Sequence, residues 1–467
     1  MAVKSNAVTD IIILAAGKGS RMYSNTPKVL HMLSGEPLLS HVLRAANSVE
    51  HARKIVVVGH GEEEIKQHYE GSPLITETLF VTQSQQLGTA HAVQVAMPHI
   101  RDCSRVLILY GDVPLITPET IARMFEALAG NSLVILTADI QDPDGYGRIV
   151  RDNEGNIESI VEQKDASLEQ SKIHEINTGL IAIESQQLRE WLPKIGNNNA
   201  QGEFYLTDLI GMAQSKGCKI LSVNPKSIEE IKGVNDRVQL AELERQHQRN
   251  LAEQLLMSGT GLADPSRIDQ RGELVTGKDN FIDINCIFEG NVVLGDGTRV
   301  GPGCLIRDSH IGDNVNILAN SVIDQSKIGE GVVVGPFARL RAGTELAANS
   351  KVGNFVETKK AKVGKGSKIN HLSYVGDAEL AENVNIGAGT ITCNYDGHNK
   401  HTTRIGEDVF VGSNSTLVAP INLEDGSFVA AGSTVSKSVK EKQLAVGRAK
   451  QRNISGWVSP AKKAKEE

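Results

Sequence analysis

IGEDVFVGSNSTLVAPINLEDGSFVAAGS, residues 405–433, decides the fold of half the chain. Aliphatic residues recur every six positions, at Ile405, Val411, Leu417, Leu423 and Val429. Each is followed four residues later by a small or β-branched one: Val409, Ser415, Ile421, Ser427 and Ser433. Strands alternate with period two and helices with period 3.6, so neither alone keeps this rhythm. A six-residue step instead builds one flat face, with the aliphatic side chain inward and Gly or Asn turning the corner, and three faces close a coil. The same step joins Leu294 to Val300, Ile311 to Ile317, Ile328 to Val334, Val363 to Ile369 and Val375, and Leu380 to Ile386.

This rhythm resembles the hexapeptide repeat of left-handed parallel β-helices. The handedness is implied by that resemblance alone, because parallel crossovers are otherwise right-handed. One interruption stands out. Thirteen positions separate the step expected at Thr392 from the one at Ile405, CNYDGHNKHTT among them, where two steps would need twelve. A loop must leave the coil there, and loops on rigid scaffolds carry function.

Upstream the texture changes. Apolar runs at 11–14 (IIIL), 54–59 (KIVVVG), 105–112 (RVLILYGD) and 132–140 (SLVILTADI) alternate with longer mixed segments. That is the pattern of an α/β, Rossmann-like domain with a mostly parallel sheet, whose ligands collect at the carboxyl ends of the strands. Between the two textures, DRVQLAELERQHQRNLAEQLLM (236–257) lacks Gly and Pro and reads as a connecting helix. The expected organisation is a nucleotidyltransferase domain at 1–235, a helix and linker at 236–264, a β-helix at 265–455 and a flexible tail at 456–467 ending in SPAKKAKEE.

Composition narrows the class of ligand. A 467-residue chain exceeds one ordinary core. Acidic residues outnumber basic ones, 56 to 49, with both signs dispersed, which argues against a nucleic-acid or membrane footprint and favours small molecules. Five cysteines without a CxxC pair indicate neither a disulfide framework nor a zinc site. With no apolar leader ahead of Ile11 and no run of 18 apolar residues, a soluble cytoplasmic protein is expected.

LAAGKGSRM (Leu14–Met22) follows the first strand run and precedes TPKVL (Thr26–Leu30). Backbone N–H groups of a Gly-rich turn approach phosphate closely, and Lys18, Arg21 and Lys28 add charged donors. Met22 replaces the third glycine of a dinucleotide fingerprint and no GK[ST] ending follows, which disfavours NAD and P-loop readings. Together with QQLGTAHA (85–92), LYGDVPL (109–115), GYGRI (145–149), VEQKDA (161–166), INTG (176–179) and GVND (233–236), the turn resembles the motif set of sugar-nucleotide pyrophosphorylases. The GTA form is typical of members that transfer UMP to N-acetylglucosamine 1-phosphate.

The resemblance implies roles residue by residue. Leu14, Ala15, Ala16, Gly17, Gln83, Gly88 and Thr89 would hold the nucleotide of UTP, and Tyr110, Gly147, Glu162 and Asn177 the sugar. Asp112, after Gly111, would bind Mg²⁺ with Asn235, a hard ion that prefers oxygen; a lone Asp at a strand end is otherwise as readily a turn residue. Arg21 and Lys28 would stabilise charge on the transferring phosphorus in an in-line displacement that needs no nucleophilic side chain.

In the solenoid half, RLRAGTE (339–345), GNFVETKKA (353–361), INHLSYVGDAE (369–379) and NIGAGTITCNYDG (385–397) are the densest polar clusters. They resemble the acetyltransferase half of the bifunctional bacterial N-acetylglucosamine-1-phosphate uridylyltransferase and glucosamine-1-phosphate N-acetyltransferase family. His371 is the base candidate, because imidazole titrates near working pH. The resemblance implies that Arg341, Lys359, Tyr374 and Asn385 bind glucosamine 1-phosphate, and that Ala388, Asn394, Tyr395, Ser413, Ala431 and Arg448 meet acetyl-CoA. Convex faces of a β-helix form clefts most readily between copies, so a homotrimer is expected. Such an enzyme would supply UDP-N-acetylglucosamine to cell-envelope synthesis, including peptidoglycan and lipopolysaccharide. The competing reading is a single-activity sugar-1-phosphate nucleotidyltransferase whose β-helix is an oligomerisation or regulatory module.

Overall fold

A computed structural model of the protein describes residues 8–199 and 201–459. The chain divides into two compact units at His247/Gln248.

The first unit is a nine-stranded sheet covered on both faces. Its strands are β1 (Thr9–Ala15), β2 (Arg53–Val58), β3 (Thr78–Thr82), β4 (Arg105–Tyr110), β5 (Leu133–Asp139), β6 (Gly147–Arg151), β7 (Ile157–Val161), β8 (Glu175–Glu184) and β9 (Ile220–Val223). The main order is β9-β5-β8-β4-β1-β2-β3, with β6 pairing β8 and β7. All four sequence runs became strands, and β3, β2, β1 and β4 run parallel. β8 departs from the parallel expectation: it lies antiparallel between β4 and β5. Its pairing with β5 breaks between Asn177 and Ile181, where Gly179 adopts φ 83°, so INTG forms a kink facing the carboxyl ends of the parallel strands.

The alternation within β1 explains the two layers. Ile11 and Ile13 pack with α1 (Leu38–Asn47) and α4 (Pro118–Leu128), and Ile12 packs on the other face with α3 (Thr89–Ala96), α5 (Ser185–Trp191) and α6 (Asp208–Ser215). α2 (Glu62–Tyr69) adds Ile65 and Tyr69 to the first layer. Thr117 caps α4 by accepting the Thr120 N–H, and Pro118 fills its first turn, where a missing N–H costs nothing. The Gly- and Pro-free segment forms α7 (Arg237–Met257). Its Leu243 packs on Met22, Leu33 and Leu38 within the first unit.

The second unit is the triangular parallel solenoid that the six-residue rhythm requires. Three inward columns run its length by strand register. One is Val300, Ile317, Val334, Val352, Ile369, Ile386, Val411 and Val429. A second is Leu294, Ile311, Ile328, Leu346, Val363, Leu380, Ile405 and Leu423. The third includes Ile306, Ile323, Leu340, Thr358 and Val375. All are buried, and each aliphatic side chain contributes about 1.5–3 kcal/mol of transfer free energy, Thr358 being the one polar member.

One corner repeats a left-handed backbone: Gly303, Asn320, Phe337, Phe355, Leu372, Gly389, Asn414 and Gly432 have φ between 51° and 73°. Gly or Asn suits that conformation, but three successive coils place Phe337, Phe355 and Leu372 there. The rings of Phe337 and Phe355 stack at 5.3 Å and stay exposed.

The interruption is larger than the sequence count implied. Leu380 pairs with Ile405, twenty-five positions on, whereas Val363 to Leu380 is seventeen and Ile405 to Leu423 eighteen. Seven residues are therefore inserted into a single step. Thr392 already occupies a full column position beneath Leu417, so no second step intervenes. Residues 460–467 of the expected tail lie outside the described residues.

Candidate active sites

In the first unit, strand ends converge. A cavity of about 220 Å³ is lined by Leu14, Ala15, Ala16 and Gly17 after β1, Gln83 after β3, Tyr110 and Asp112 at the end of β4, and Lys28, Gly88 and Thr89. A second, of about 330 Å³, shares Thr89 and Tyr110 with it and adds Gly145, Glu162 and Asn177. Two compartments meeting at Thr89 and Tyr110 suit a ligand with two parts.

Glycines shape the walls. A Cβ on Gly88, which has φ 117°, would lie 2.5 Å from the Phe204 carbonyl oxygen. That carbonyl accepts from Ala90 N at 2.9 Å, clamping the start of α3. Gly179 is bare because a Cβ there would meet the Tyr110 ring at 2.8 Å. Gly111 N donates to Leu14 O at 2.9 Å, tying the two strand ends together. Gly147 lies beside Glu162, whose carboxylate a Cβ would approach to 3.5 Å. Gln83 is buried and its Nε2 donates to Gly88 O at 3.2 Å, and Asn177 Oδ1 accepts Gly179 N at 3.1 Å.

Burial first, then the Asp112 and Glu162 carboxylates, pushes the Tyr110 phenol far above its ordinary range, so it stays a neutral donor. Burial likewise raises Glu162, against the Thr207 hydroxyl that donates to it at 3.3 Å. The segment 201–207 escaped the sequence reading although Glu203, Tyr205 and Thr207 line the second cavity. It has no glycine pattern, and its only signal was a polar and aromatic cluster, GEFYLTD.

Lys28 organises one end of the first cavity. Its ammonium pairs with Asp112 Oδ2 and donates to Asn235 Oδ1 at 3.3 Å. Val234 N, next to Asn235, donates to Asp112 O at 2.9 Å, which fixes the two side chains as neighbours. Two hard oxygens thus converge on one cation, a donor set that also fits a magnesium ion completing its shell with phosphates and water. Among the described residues no cluster of three or more His, Cys, Asp or Glu side chains could hold a metal. Arg21 is exposed on a short 3₁₀ turn (Ser20–Met22) and lines neither cavity.

In the solenoid, register gathers candidates that the sequence scattered. Asn354 pairs with His371 across adjacent coils. Leu372 N donates to Asn354 O, Gly389 N to His371 O, Asn414 N to Ala388 O and Gly432 N to Ser413 O, at 2.7–3.2 Å. His371, Ala388, Ser413 and Ala431 therefore occupy one corner on successive coils, each preceding the left-handed residue. His371 is exposed, and its Nδ1 lies 2.5 Å from Asn354 Oδ1. An amide oxygen only accepts, so the neutral imidazole carries its proton on Nδ1 and its lone pair on Nε2. Asn354 was missed because its partner is seventeen residues away, a relation visible only once the coil length is known.

Other candidates lie on the next face. Arg341 and Lys359 are neighbours by register and line a cavity of about 320 Å³. Arg341 Nη1 pairs with Glu357 at 2.8 Å. Lys359 is pushed below its ordinary value by the Lys400 ammonium, which comes against it, with Arg341 adding to the effect. Lys400, on the inserted loop, is a second residue the sequence reading missed. Tyr374 lies over Gly376, where a Cβ would meet its hydroxyl at 2.4 Å. Neither Tyr374 nor Asn385 hydrogen-bonds the His371 ring; Asn385 stacks on Lys368, three positions before the His371 corner.

Asn394 anchors the inserted loop through Asp377, and its carbonyl accepts His401 N at 2.8 Å. Asp396 draws in His398 N, Asn399 N and His401 Nε2 at 2.7–2.8 Å, which depresses its carboxyl. Tyr395 is left exposed on the same loop. Arg448 Nη1 donates to Ala431 O at 2.7 Å, joining the last charged candidate to the corner column.

Residues 11–157 match the family of MobA-like NTP transferase domains, 271–363 the GMPPB C-terminal domain, and 402–437 the hexapeptide repeat of succinyl-transferase. Over nearly the whole chain there are curated relatives. The Bifunctional protein GlmU of Marinobacter nauticus is 52% identical over 97% of this chain and 99% of its own length. Its namesake from Stutzerimonas stutzeri is 51% identical with the same coverage. That of Cellvibrio japonicus is 52% identical over 97% of this chain and its full length.

Proposed function

The chain belongs to the family of the bifunctional GlmU proteins, uniting a nucleotidyltransferase and an N-acetyltransferase, and we propose how its two sites divide that work. The solenoid acetylates glucosamine 1-phosphate with acetyl-CoA, and the first unit transfers UMP from UTP to the resulting N-acetylglucosamine 1-phosphate, releasing pyrophosphate. The His371–Asn354 pair carries the assignment of the first step: it leaves a lone pair on Nε2 to take a proton from the substrate amine. The amine nitrogen attacks the thioester carbonyl as Nε2 takes that proton, and the tetrahedral adduct breaks its C–S bond to expel CoA thiolate, which the imidazolium reprotonates.

Arg341, Lys359 and Lys400 present a dense cationic patch to the sugar phosphate. The corner column of Ala388, Ser413 and Ala431 offers a track for the coenzyme, with Asn394, Tyr395 and Arg448 beside it.

In the first unit the sugar occupies the compartment of Glu162, Asn177 and Gly147, and the nucleotide that of Gln83 and Gly88. The phosphate oxygen then approaches the α-phosphorus beside Lys28, with Arg21 reaching the departing pyrophosphate. Asp112 and Asn235 would hold Mg²⁺, which when bound neutralises phosphate charge. Lys28 is held in place by those same two side chains.

A homotrimer is proposed on the convex faces and the exposed corner aromatics of a single solenoid. Among the described residues no helix is long and apolar enough to cross a membrane. All five cysteines are free, which supports a reducing cytoplasm, and the product serves cell-envelope synthesis.

His371→Ala tests the division. CoA release with glucosamine 1-phosphate should collapse by about 10²–10⁴-fold while uridylyl transfer survives. Unchanged acetylation would overturn the base assignment, and a wild-type chain that releases no CoA would instead favour the solenoid as an assembly module.

A further inference from the structure

Arg148, on β6, is fully buried, yet its Nε and Nη2 have no hydrogen-bond partner. Only Nη1 is satisfied, donating to Tyr146 O. The nearest carboxylate is Asp144, whose Oδ1 stands 3.8 Å from Nη2, beyond hydrogen-bond reach, on a side chain that is 82% exposed. A guanidinium withdrawn from water keeps its charge and needs acceptors for its N–H groups, so this arrangement leaves two of its three nitrogens without one.

The residues between the two explain how the gap could close. Gly145, at φ 88°, lines the sugar compartment, and a Cβ there would meet nothing within 4 Å. The turn carrying Asp144 is held by Tyr146 N to Pro143 O at 3.2 Å, by Asp144 N to Asp142 Oδ1 at 3.3 Å and by the bond from Arg148 Nη1 to Tyr146 O, none of which fixes the Asp144 carboxylate. At the start of the same strand Gly147 sits against Glu162, so Arg148 stands beside the sugar site, with the exposed Asp144 carboxylate 3.8 Å from its Nη2.

We propose that Asp144 and Arg148 form a latch: when a sugar 1-phosphate fills the compartment, the 142–146 turn draws in and Asp144 closes a hydrogen-bonded ion pair with the buried Arg148 nitrogens. They are positioning residues for the uridylyl-transfer site, setting how firmly Gly145 and Gly147 hold the sugar, and neither need touch the reacting phosphates. The inference rests on the assignment of that compartment to the sugar.

The test is Asp144→Ala in the full chain. A carboxylate this exposed should be silent if it only faces water. The latch instead requires the KM for N-acetylglucosamine 1-phosphate to rise about tenfold, with kcat falling less than about threefold and the KM for UTP within about twofold. The unchanged KM for UTP reports that the first unit is folded, and acetyl transfer on the same sample reports that the solenoid is. Arg148→Lys, and the double variant, give a second reading. If the two side chains act through each other, the double variant loses no more than the worse single one; full additivity speaks against the latch. A KM for Asp144→Ala within about twofold of wild type overturns the proposal. Failure of the wild-type chain to transfer UMP to N-acetylglucosamine 1-phosphate would instead sink the compartment assignment, leaving the two outcomes distinguishable.

Discussion

His371 Nδ1 and Asn354 Oδ1 meet at 2.5 Å across adjacent coils, so the imidazole tautomer is set by a residue one turn away. Asn354→Ala frees the ring to rotate and to protonate either nitrogen. Acetyl-transfer kcat should fall about 10–100-fold, as for other orienting partners of functional histidines, with uridylyl transfer unaltered. Steady-state assays of both activities on one preparation check it.

Lys359, Lys400 and Arg341 crowd positive charge, opposed by Glu357 at Arg341 and by Asp377 at Lys359, and a multiply charged anion relieves it further. Lys400→Ala should raise the KM for glucosamine 1-phosphate about tenfold and leave kcat less affected. The same crowding makes inorganic phosphate a stabiliser of the wild type, seen as a higher Tm in a phosphate titration that Lys400→Ala blunts.

Glu162 tests the pH sign in the first unit. Burial raises its folded pKa above the unfolded one, so the folded state binds more protons across that window. Stability therefore falls as pH rises through the window, and the penalty is complete above it. Glu162→Gln should raise the Tm of the first unit at pH 8 by on the order of a few degrees, with no gain at pH 4. Its KM for the sugar phosphate should rise. Thermal melts at the two pH values decide it.

His247, on α7, carries the opposite sign. Desolvation first, then the facing His41, lowers it to about 4, with Glu244 and Glu36 opposing and the rings packed edge to face at 5.7 Å. His41 is lowered by burial too, in spite of its bond to Leu33 O, and has Glu36, Arg44 and Glu244 around it. The folded state binds fewer protons between pH 6.5 and about 4, so this stability is full above 6.5 and is lost as pH falls. His247→Gln should flatten the acid limb of the first unit's stability curve by about 1–2 kcal/mol, allowing for partial exposure, as measured by urea unfolding at pH 7 and pH 5.

The sequence made the architecture legible because its two periods are both local. Ile405, Val411 and Leu417 declare a six-step solenoid without reference to anything distant, and IIIL declares a buried strand. Asp112 and Tyr110 were legible because ligands gather at strand ends, and Lys28 because it follows a Gly-rich turn. Asn354 and Lys400 were not, since their partners depend on a coil length and on a seven-residue insertion that simple counting misplaced. β8 hid its direction because apolar continuity in a covered sheet is the same for parallel and antiparallel neighbours. Glu203 and Thr207 face their cavity from a segment with no local period at all.

The corner that begins at His371 climbs through Ala388 and Ser413 to Ala431, three coils higher. Neighbouring strands stand about 4.8 Å apart, so the rail measures roughly 14 Å. Length along it comes only in whole turns: adding or removing one complete turn between Gly389 and Phe410 would displace the far anchor by a single rung, and no gentler adjustment exists. A scaffold of this kind fixes the span from His371 to Ala431 as a ruler does, by graduation.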